Sequence, residues 1–387
     1  MPPALDIAHR GQVFTPSGVV ERMIALRRLQ GRVLEPSCGD GAFSSQLPGC
    51  MALEIDPAIC PPHAQVLDFF AYPETEKFDT IIGNPPYVKS RDILPDTRKR
   101  LASQLLNGHA SLYLHFIEKC VRHLNPGGEL IFITPRDFLK STGSAQLNTW
   151  LFDQGTITDI EELGDARIFA SVVPNCVIWR FEKGNLSHRT HDGRRMTLSG
   201  GQLLFTRGIY SVPLARVFSV RVGAVSGADE IFTDAVLGNA DFVCSKTAAS
   251  GELRRMIFDL PLPELETHKE RLLARRVAKF DENNWWKWGR RHHMSEAPRI
   301  YVNHKTRKLQ PFFLNDCNNY DGAVLALFPH CATLGTAALQ QLTALLNDVD
   351  WTELGFVCDG RAMFTQRSLE QAPLPESFAQ FAVSGLV

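Results

Sequence analysis

The residues best suited to chemistry are Asn84-Pro85-Pro86-Tyr87, which follow the apolar run Thr80-Ile81-Ile82. An amine attached to a heteroaromatic ring is a poor nucleophile, because its lone pair is delocalised into the ring. Two acceptors gripping its hydrogens draw it toward a tetrahedral, nucleophilic geometry. The Asn84 side-chain oxygen and the Pro85 carbonyl are such acceptors. The prolines stiffen the turn and remove competing donors, and Tyr87 offers a flat face for a base to stack on. Upstream, Glu35-Pro36-Ser37-Cys38-Gly39-Asp40-Gly41 forms a glycine turn after a short apolar segment. It lacks the Gly-Lys-Ser/Thr ending of a phosphate loop and is not a GxGxxG fingerprint. Glu54, with Asp56 nearby, suits two ribose hydroxyls, and Asp68 suits the exocyclic amine of an adenine ring. The ordered set describes a nucleoside-shaped site.

These groups need a scaffold, and the spacing predicts one. Gly31–Leu34, Met51–Ile55, Gln65–Leu67, Phe78–Ile82 and Glu129–Thr134 read as strands, with two more at Asp159–Leu163 and Cys176–Phe181. A helix is expected from Ala42, and another from about Ser111 to Leu124. Asn125-Pro126-Gly127-Gly128 reads as a turn. Strands alternating with helices argue for a mostly parallel α/β sheet covered on both faces. Each unusual cluster then falls at the carboxyl end of a strand, where such sheets bind ligands.

Length and composition agree with this plan. The chain has 387 residues, 44% of them hydrophobic and 21% charged, enough for two ordinary domains. The first residues, Met1-Pro2-Pro3, lack the basic and apolar regions of a secretion signal. Nine widely spaced cysteines suggest free thiols in a reducing cytoplasm. The polar, basic stretch Lys183–Arg195 suggests a surface loop or a linker, dividing the chain into 1–195 and a mixed α/β domain over 196–387.

The net charge of −1 hides a basic tract, with twelve Lys or Arg against four Asp or Glu between Lys269 and Lys308. Trp285-Trp286-Lys287-Trp288-Gly289-Arg290-Arg291-His292-His293 admits two readings of equal weight. In one, cations neutralise phosphate beside an aromatic wedge. In the other, the tryptophans are core and the cations a solvated face. Arg290, Arg291, Arg299, Lys305, Arg307 and Lys308 are the candidate contacts to DNA phosphates or base edges. His292-His293 has no acidic or cysteine partner at ligand spacing, so no metal site is expected.

The ordered motifs resemble the gamma class of amino-methyltransferases that modify adenine in DNA for restriction–modification systems, the TaqI-like and Eco57I-like methylases. The resemblance is collinear over most of the chain. It implies a Rossmann-like, seven-stranded class I methyltransferase sheet binding S-adenosyl-L-methionine, followed by a target-recognition domain that meets double-stranded DNA. In the catalytic domain it assigns Thr15, of Phe14-Thr15-Pro16, to the cofactor's methionine end. Glu35, Ser37, Cys38 and Gly39 become the cofactor loop, Glu54 the ribose acid, and Asp68-Phe69 the adenine-binding pair. Phe116 packs on the cofactor adenine. Asn84, Pro85, Pro86 and Tyr87 form the catalytic motif, with Asn84 and Pro86 also touching the cofactor. Phe169, before Val172-Val173-Pro174-Asn175, faces the flipped base from the side opposite Tyr87. In the second half, Arg221–Asp229 and Phe364–Pro375 resemble the opening and closing segments of a recognition domain.

The resemblance implies a bacterial or archaeal cytoplasmic enzyme at the nucleoid. No nuclease constellation is visible, so a cognate restriction endonuclease would act separately. Asn-Pro-Pro-Tyr also serves glutamine and RNA-adenine methylases; Phe14-Thr15-Pro16 and the long C-terminal domain favour DNA. Cytosine-N4 enzymes usually carry Ser where Asn84 stands. A silent DNA-binding relative is disfavoured by the intact motif and acids.

Overall fold

A computed structural model describes residues 11–163, 175–331, 334–358 and 360–383. The chain forms two compact units, the first ending at Arg207 and the second beginning at Gly208. Among the described residues no helix is long and apolar enough to cross a membrane.

The first unit is built on seven strands: β1 (Val33–Glu35), β2 (Met51–Glu54), β3 (Gln65–Val66), β4 (Phe78–Gly83), β5 (Leu124–Pro135), β6 (Gly155–Glu162) and β7 (Cys176–Lys183). They lie in the order β3-β2-β1-β4-β5-β7-β6. The first five pair in parallel, and β7 runs antiparallel to both β5 and β6. Strand order reverses between β1 and β4, which opens a crevice at their carboxyl ends. The central strands are apolar on both faces, as burial from two sides requires: Leu34, Ile81, Leu130, Ile131, Phe132 and Ile133 are all inaccessible to solvent.

Helix α1 (Ser17–Ala25) turns Val19, Val20 and Met23 onto one face of the sheet, against Val33, Phe43, Ile82 and Ile131. The spacing i, i+1, i+4 is that of a single apolar stripe. The other face carries α2 (Pro95–Arg100), α3 (Leu112–His123) and α4 (Ala145–Gln154). Helix α3 is buried almost all round and packs Phe116, Ile117, Cys120 and Val121 into the larger core. In β5, between β4 and β7, Glu129 is fully buried and accepts from Arg28 N, Leu29 N, Thr80 Oγ1 and Arg180 Nε. That carboxylate ties the end of α1 to three strands.

Three expectations are corrected here. The helix expected from Ala42 is one 3-10 turn, Ser44–Gln46; Pro48-Gly49 follows too closely for a helix to propagate. The Asn125–Gly128 turn does not precede β5 but forms a bulge within it, between the Phe78–Leu124 and Thr80–Glu129 pairs. The stretch 183–195 is not a bare linker: Lys183 Nζ caps the carbonyls of Val121 and Leu124, and Thr190 is buried. It leads into the hairpin β8 (Arg195–Ser199) and β9 (Gln202–Thr206), which contacts α4 within the first unit.

The second unit is mixed α/β. Its four-stranded sheet orders Phe218–Val222, Val324–Pro329, Ile300–Asn303 and Phe312–Phe313 as neighbours. The unit's longest helix among the described residues is Thr336–Asp348.

Candidate active site

At the carboxyl ends of β1, β2 and β4 the first unit opens a cleft of about 750 Å³, its mouth included. Its polar walls are Ser37, Gly39, Glu54, Asp68, Asn84 and Thr97; Phe14, Phe69, Phe70, Leu112 and Phe116 supply apolar ones.

The glycine turn is held by two acids from neighbouring strand ends. Glu54 Oε2 accepts from Gly39 N at 2.8 Å and its Oε1 from Asp56 N at 2.9 Å. Burial pushes the Glu54 carboxyl above its ordinary range; it lines the cleft, and each oxygen has accepting capacity beyond its one backbone bond. Gly39 itself has φ +55°, a left-handed conformation that suits glycine. Glu35 is placed differently from its expected role. It is buried, does not line the cleft, and its Oε2 accepts from Ser44 N at 2.8 Å. Burial raises its pKa to about 8. It shapes the loop from behind. Cys38 is likewise buried and off the cleft; its backbone N donates to Leu53 O.

The pair Asp68-Phe69, expected at the cofactor's adenine, is part of an aromatic platform. Phe69 and Phe116 lie with ring centroids 5.0 Å apart at 31°, and Phe70 meets Phe116 edge-on at 5.1 Å. Asp68 Oδ1 accepts from Phe70 N, and its Oδ2 accepts from Thr97 Oγ1 at 2.8 Å. Thr97 was not anticipated. It lies on α2, far along the chain from the acid it orients, and no local pattern marks it. Gln12 was missed too; its amide donates to Asp56 at 2.8 Å and it lines the cleft.

Asn84 is the most informative residue. Its Nδ2 faces the Val13 carbonyl at 3.4 Å and Thr15 Oγ1 at 3.2 Å. A carbonyl can only accept, so these partners fix which end of the amide is nitrogen. The Oδ1 is buried and has no partner among the described residues. A buried acceptor left unpaired is costly, and in a cleft it marks where a donor belongs. Thr15 therefore orients Asn84 and does not itself line the cleft. Just upstream, the Gly11 backbone lies against Pro86; a Cβ there would sit 2.8 Å from Pro86 Cβ. Pro86 is in the cleft wall, whereas Pro85 is buried behind it. Tyr87 stands outside the enclosed cleft, its hydroxyl donating to Ile133 O at 2.8 Å and its ring edge-on to Tyr113. Those contacts lock the ring beside Asn84. Phe169 lies outside the described residues.

The cleft fits S-adenosylmethionine on this chain's own features: two carboxylates at successive strand ends, an aromatic platform, open backbone at Gly39 and, in the wall, Asn84 with its buried Oδ1 unpaired among the described residues.

In the second unit two of the tract's three tryptophans are core, and of its twelve Lys and Arg residues only Arg275 and Arg299 are buried. Trp288 stacks on Phe242 at 4.9 Å and donates Nε1 to Ile257 O; Trp285 is buried beside it. Arg275 is also buried and donates to the carbonyls of Leu272, Ser226, Trp285 and Lys287. Arg299, expected at phosphates or bases, is only 4% exposed. Its guanidinium donates to Ala297 O, Asn318 O and Ser295 O and lies over Phe328, so its donors are engaged inside. His292 is buried against Phe242 and Tyr320. Arg291 is exposed but paired with Asp259 at 2.6 Å, and Lys308 reaches the Ala248 carbonyl. Arg290, Lys305 and Arg307 are exposed.

The strand order and the site define the fold of the class I S-adenosylmethionine-dependent methyltransferases, and S-adenosyl-L-methionine is the cofactor of that fold. Residues 61–169 match the family model described as Eco57I restriction-modification methylase. The chain is 33% identical over 219 residues to the Type II methyltransferase M.TthHB8I of Thermus thermophilus, covering 50% of each. It is 31% identical over 188 residues to M.HincII of Haemophilus influenzae, covering 45% of this chain and 37% of that protein. It thus spans half or less of the length of these two relatives. Among solved structures, the Type IIL restriction-modification enzyme MmeI in complex with DNA superposes with a TM-score of 0.59 at 12% identity, over 91% of this chain and 63% of that one. That likeness is one of fold.

Proposed function

We propose that this protein methylates DNA within a restriction–modification system, placing the methyl group on the N6 amine of an adenine rotated out of the duplex. The observation that carries the proposal is the unpaired Asn84 Oδ1, held at a strand end by Val13 and Thr15.

Glu54 accepts the ribose hydroxyls, Asp68 the adenine amine of the cofactor, and Phe116 with Phe69 flanks its ring. When bound, S-adenosylmethionine supplies an electrophilic methyl group on its sulfonium. Asn84 Oδ1 and the Pro85 carbonyl accept the two hydrogens of the target amine and aim its lone pair. Because the acceptors are fixed before reaction, little reorganisation remains at the transition state. Tyr87, locked by Ile133 and Tyr113, gives the base a face to stack on; Phe169 is assigned the opposite face. No general base is needed, since the amine proton leaves after transfer. Extruding the base costs a few kcal/mol of unstacking, which the second unit offsets through contacts to the duplex from Arg290, Lys305 and Arg307.

The test is transfer of labelled methyl from S-adenosylmethionine to genomic DNA, followed by digestion to nucleosides. Label is expected in N6-methyladenine. Label in N4-methylcytosine, or in RNA or a glutamine side chain and not in DNA, would reject the reading.

A further inference from the structure

A second cavity in the first unit, of about 670 Å³, shares Phe70 with the cofactor cleft. It is furnished by two helices that also serve that cleft. Helix α2 brings Arg100 to the cavity and Thr97 to the cleft; α3 brings His115, Glu118, Lys119 and Arg122 to the cavity and Leu112 and Phe116 to the cleft. We infer that this cavity binds a phosphate group.

The case rests on which donors and acceptors are already engaged. His115 is only 8% exposed, lines the cavity and has no hydrogen-bond partner among the described residues. Neither nitrogen is enclosed by protein, so both are open to a guest in the cavity they line. Glu118, 3% exposed, is the acid within the walls, and both its oxygens are occupied, by Ser103 Oγ and by Arg122 Nη2 at 2.7 Å. Lys119 Nζ donates to the carbonyls of Phe70 and Tyr72, which leaves one ammonium proton. Arg100 uses Nη1 on Asp96 O and keeps its other donors. Glu74 at the rim is the remaining acid. The walls thus hold three cations against two carboxylates; with the Arg122–Glu118 pair set aside, Arg100 and Lys119 stand against Glu74. Donors are in excess, which excludes a metal cation and disfavours an apolar guest. A tetrahedral anion with several acceptor oxygens matches that surplus.

The phosphate has two sources, a free phosphate or phosphomonoester, or the backbone of a nucleic acid. Neither depends on the methylation reading. Calorimetric titration of the full chain with inorganic phosphate is expected to show saturable, one-to-one binding. Arg100→Gln, at an exposed position, and His115→Gln are each expected to weaken it at least tenfold while the melting temperature is retained. Adding duplex DNA separates the sources: loss of phosphate binding assigns the site to a backbone phosphate, and unchanged binding assigns it to a free one. Folded wild-type protein without saturable phosphate binding, or binding undiminished in Arg100→Gln, overturns the proposal.

Discussion

The two units treat their charged residues in opposite ways. In the first, Glu54, Asp68 and Asn84 stand at the carboxyl ends of β2, β3 and β4 and line one cleft. In the second, the most conspicuous cations of the basic tract are turned inward: Arg275 and Arg299 bind backbone carbonyls, and two of the three tryptophans are core. Chemistry placed at strand ends is ordered by the sheet, so a few residues in sequence order describe it. A loop-rich unit must satisfy its own backbone carbonyls, and it recruits long donors such as arginine to do so. A count of cations along such a tract overstates what is free to meet a polyanion.

Breaking the second unit should leave the first standing. Trp288→Ala removes a stacked, buried indole with its hydrogen bond to Ile257, and is expected to cost about 3–5 kcal/mol. Calorimetry should show an earlier transition for the second unit, with cofactor affinity unchanged; a single transition that takes cofactor binding with it would contradict the division. Next in size is a pH effect confined to the first unit. Glu35 has a folded pKa of about 8 against an ordinary 4.5. Its folded form holds a proton that the unfolded chain has lost, so its contribution is fully present below about pH 4.5 and disappears as pH rises through 8. Glu35→Gln should therefore flatten the decline of stability over that window by on the order of a few kcal/mol. Urea melts of both proteins at pH 5 and pH 8 measure it, and parallel declines would refute it. Smaller still is Thr97→Val, which frees Asp68 Oδ2 from its partner. Losing that hydrogen bond, worth roughly 1 kcal/mol, should weaken S-adenosylhomocysteine binding several-fold in an equilibrium titration. The smallest effect belongs to an exposed cation: Lys305→Gln should lower the slope of log affinity against log salt for duplex DNA by about one. An unchanged slope would remove Lys305 from the interface.

The same contrast explains what could be read from the chain. Short apolar runs ending in Glu54 or Asn84 disclose both a strand and its business end, because the residue that terminates the strand is the one that faces ligand. Each of the seven strands overlaps a run read from the sequence, although β6 begins at Gly155, four residues before the expected Asp159. Thr97 and Gln12 were not legible, since they act through another side chain brought close only by folding. The absent helix after Ala42 and the burial of Arg299 were hidden for a related reason: each turns on competition between local propensity and tertiary partners. The equal weighting of the tryptophan tract reflects the same limit, as its residue types suit a wet interface and a core alike.

The most direct test is single-turnover methyl transfer with Asn84→Ala beside the wild type, at cofactor and DNA concentrations that saturate both. Removing one preorganised acceptor should slow transfer by about 10²- to 10³-fold, with S-adenosylhomocysteine affinity within a few-fold of wild type. Transfer by Asn84→Ala at the wild-type rate would show that the unpaired oxygen is not the amine's acceptor.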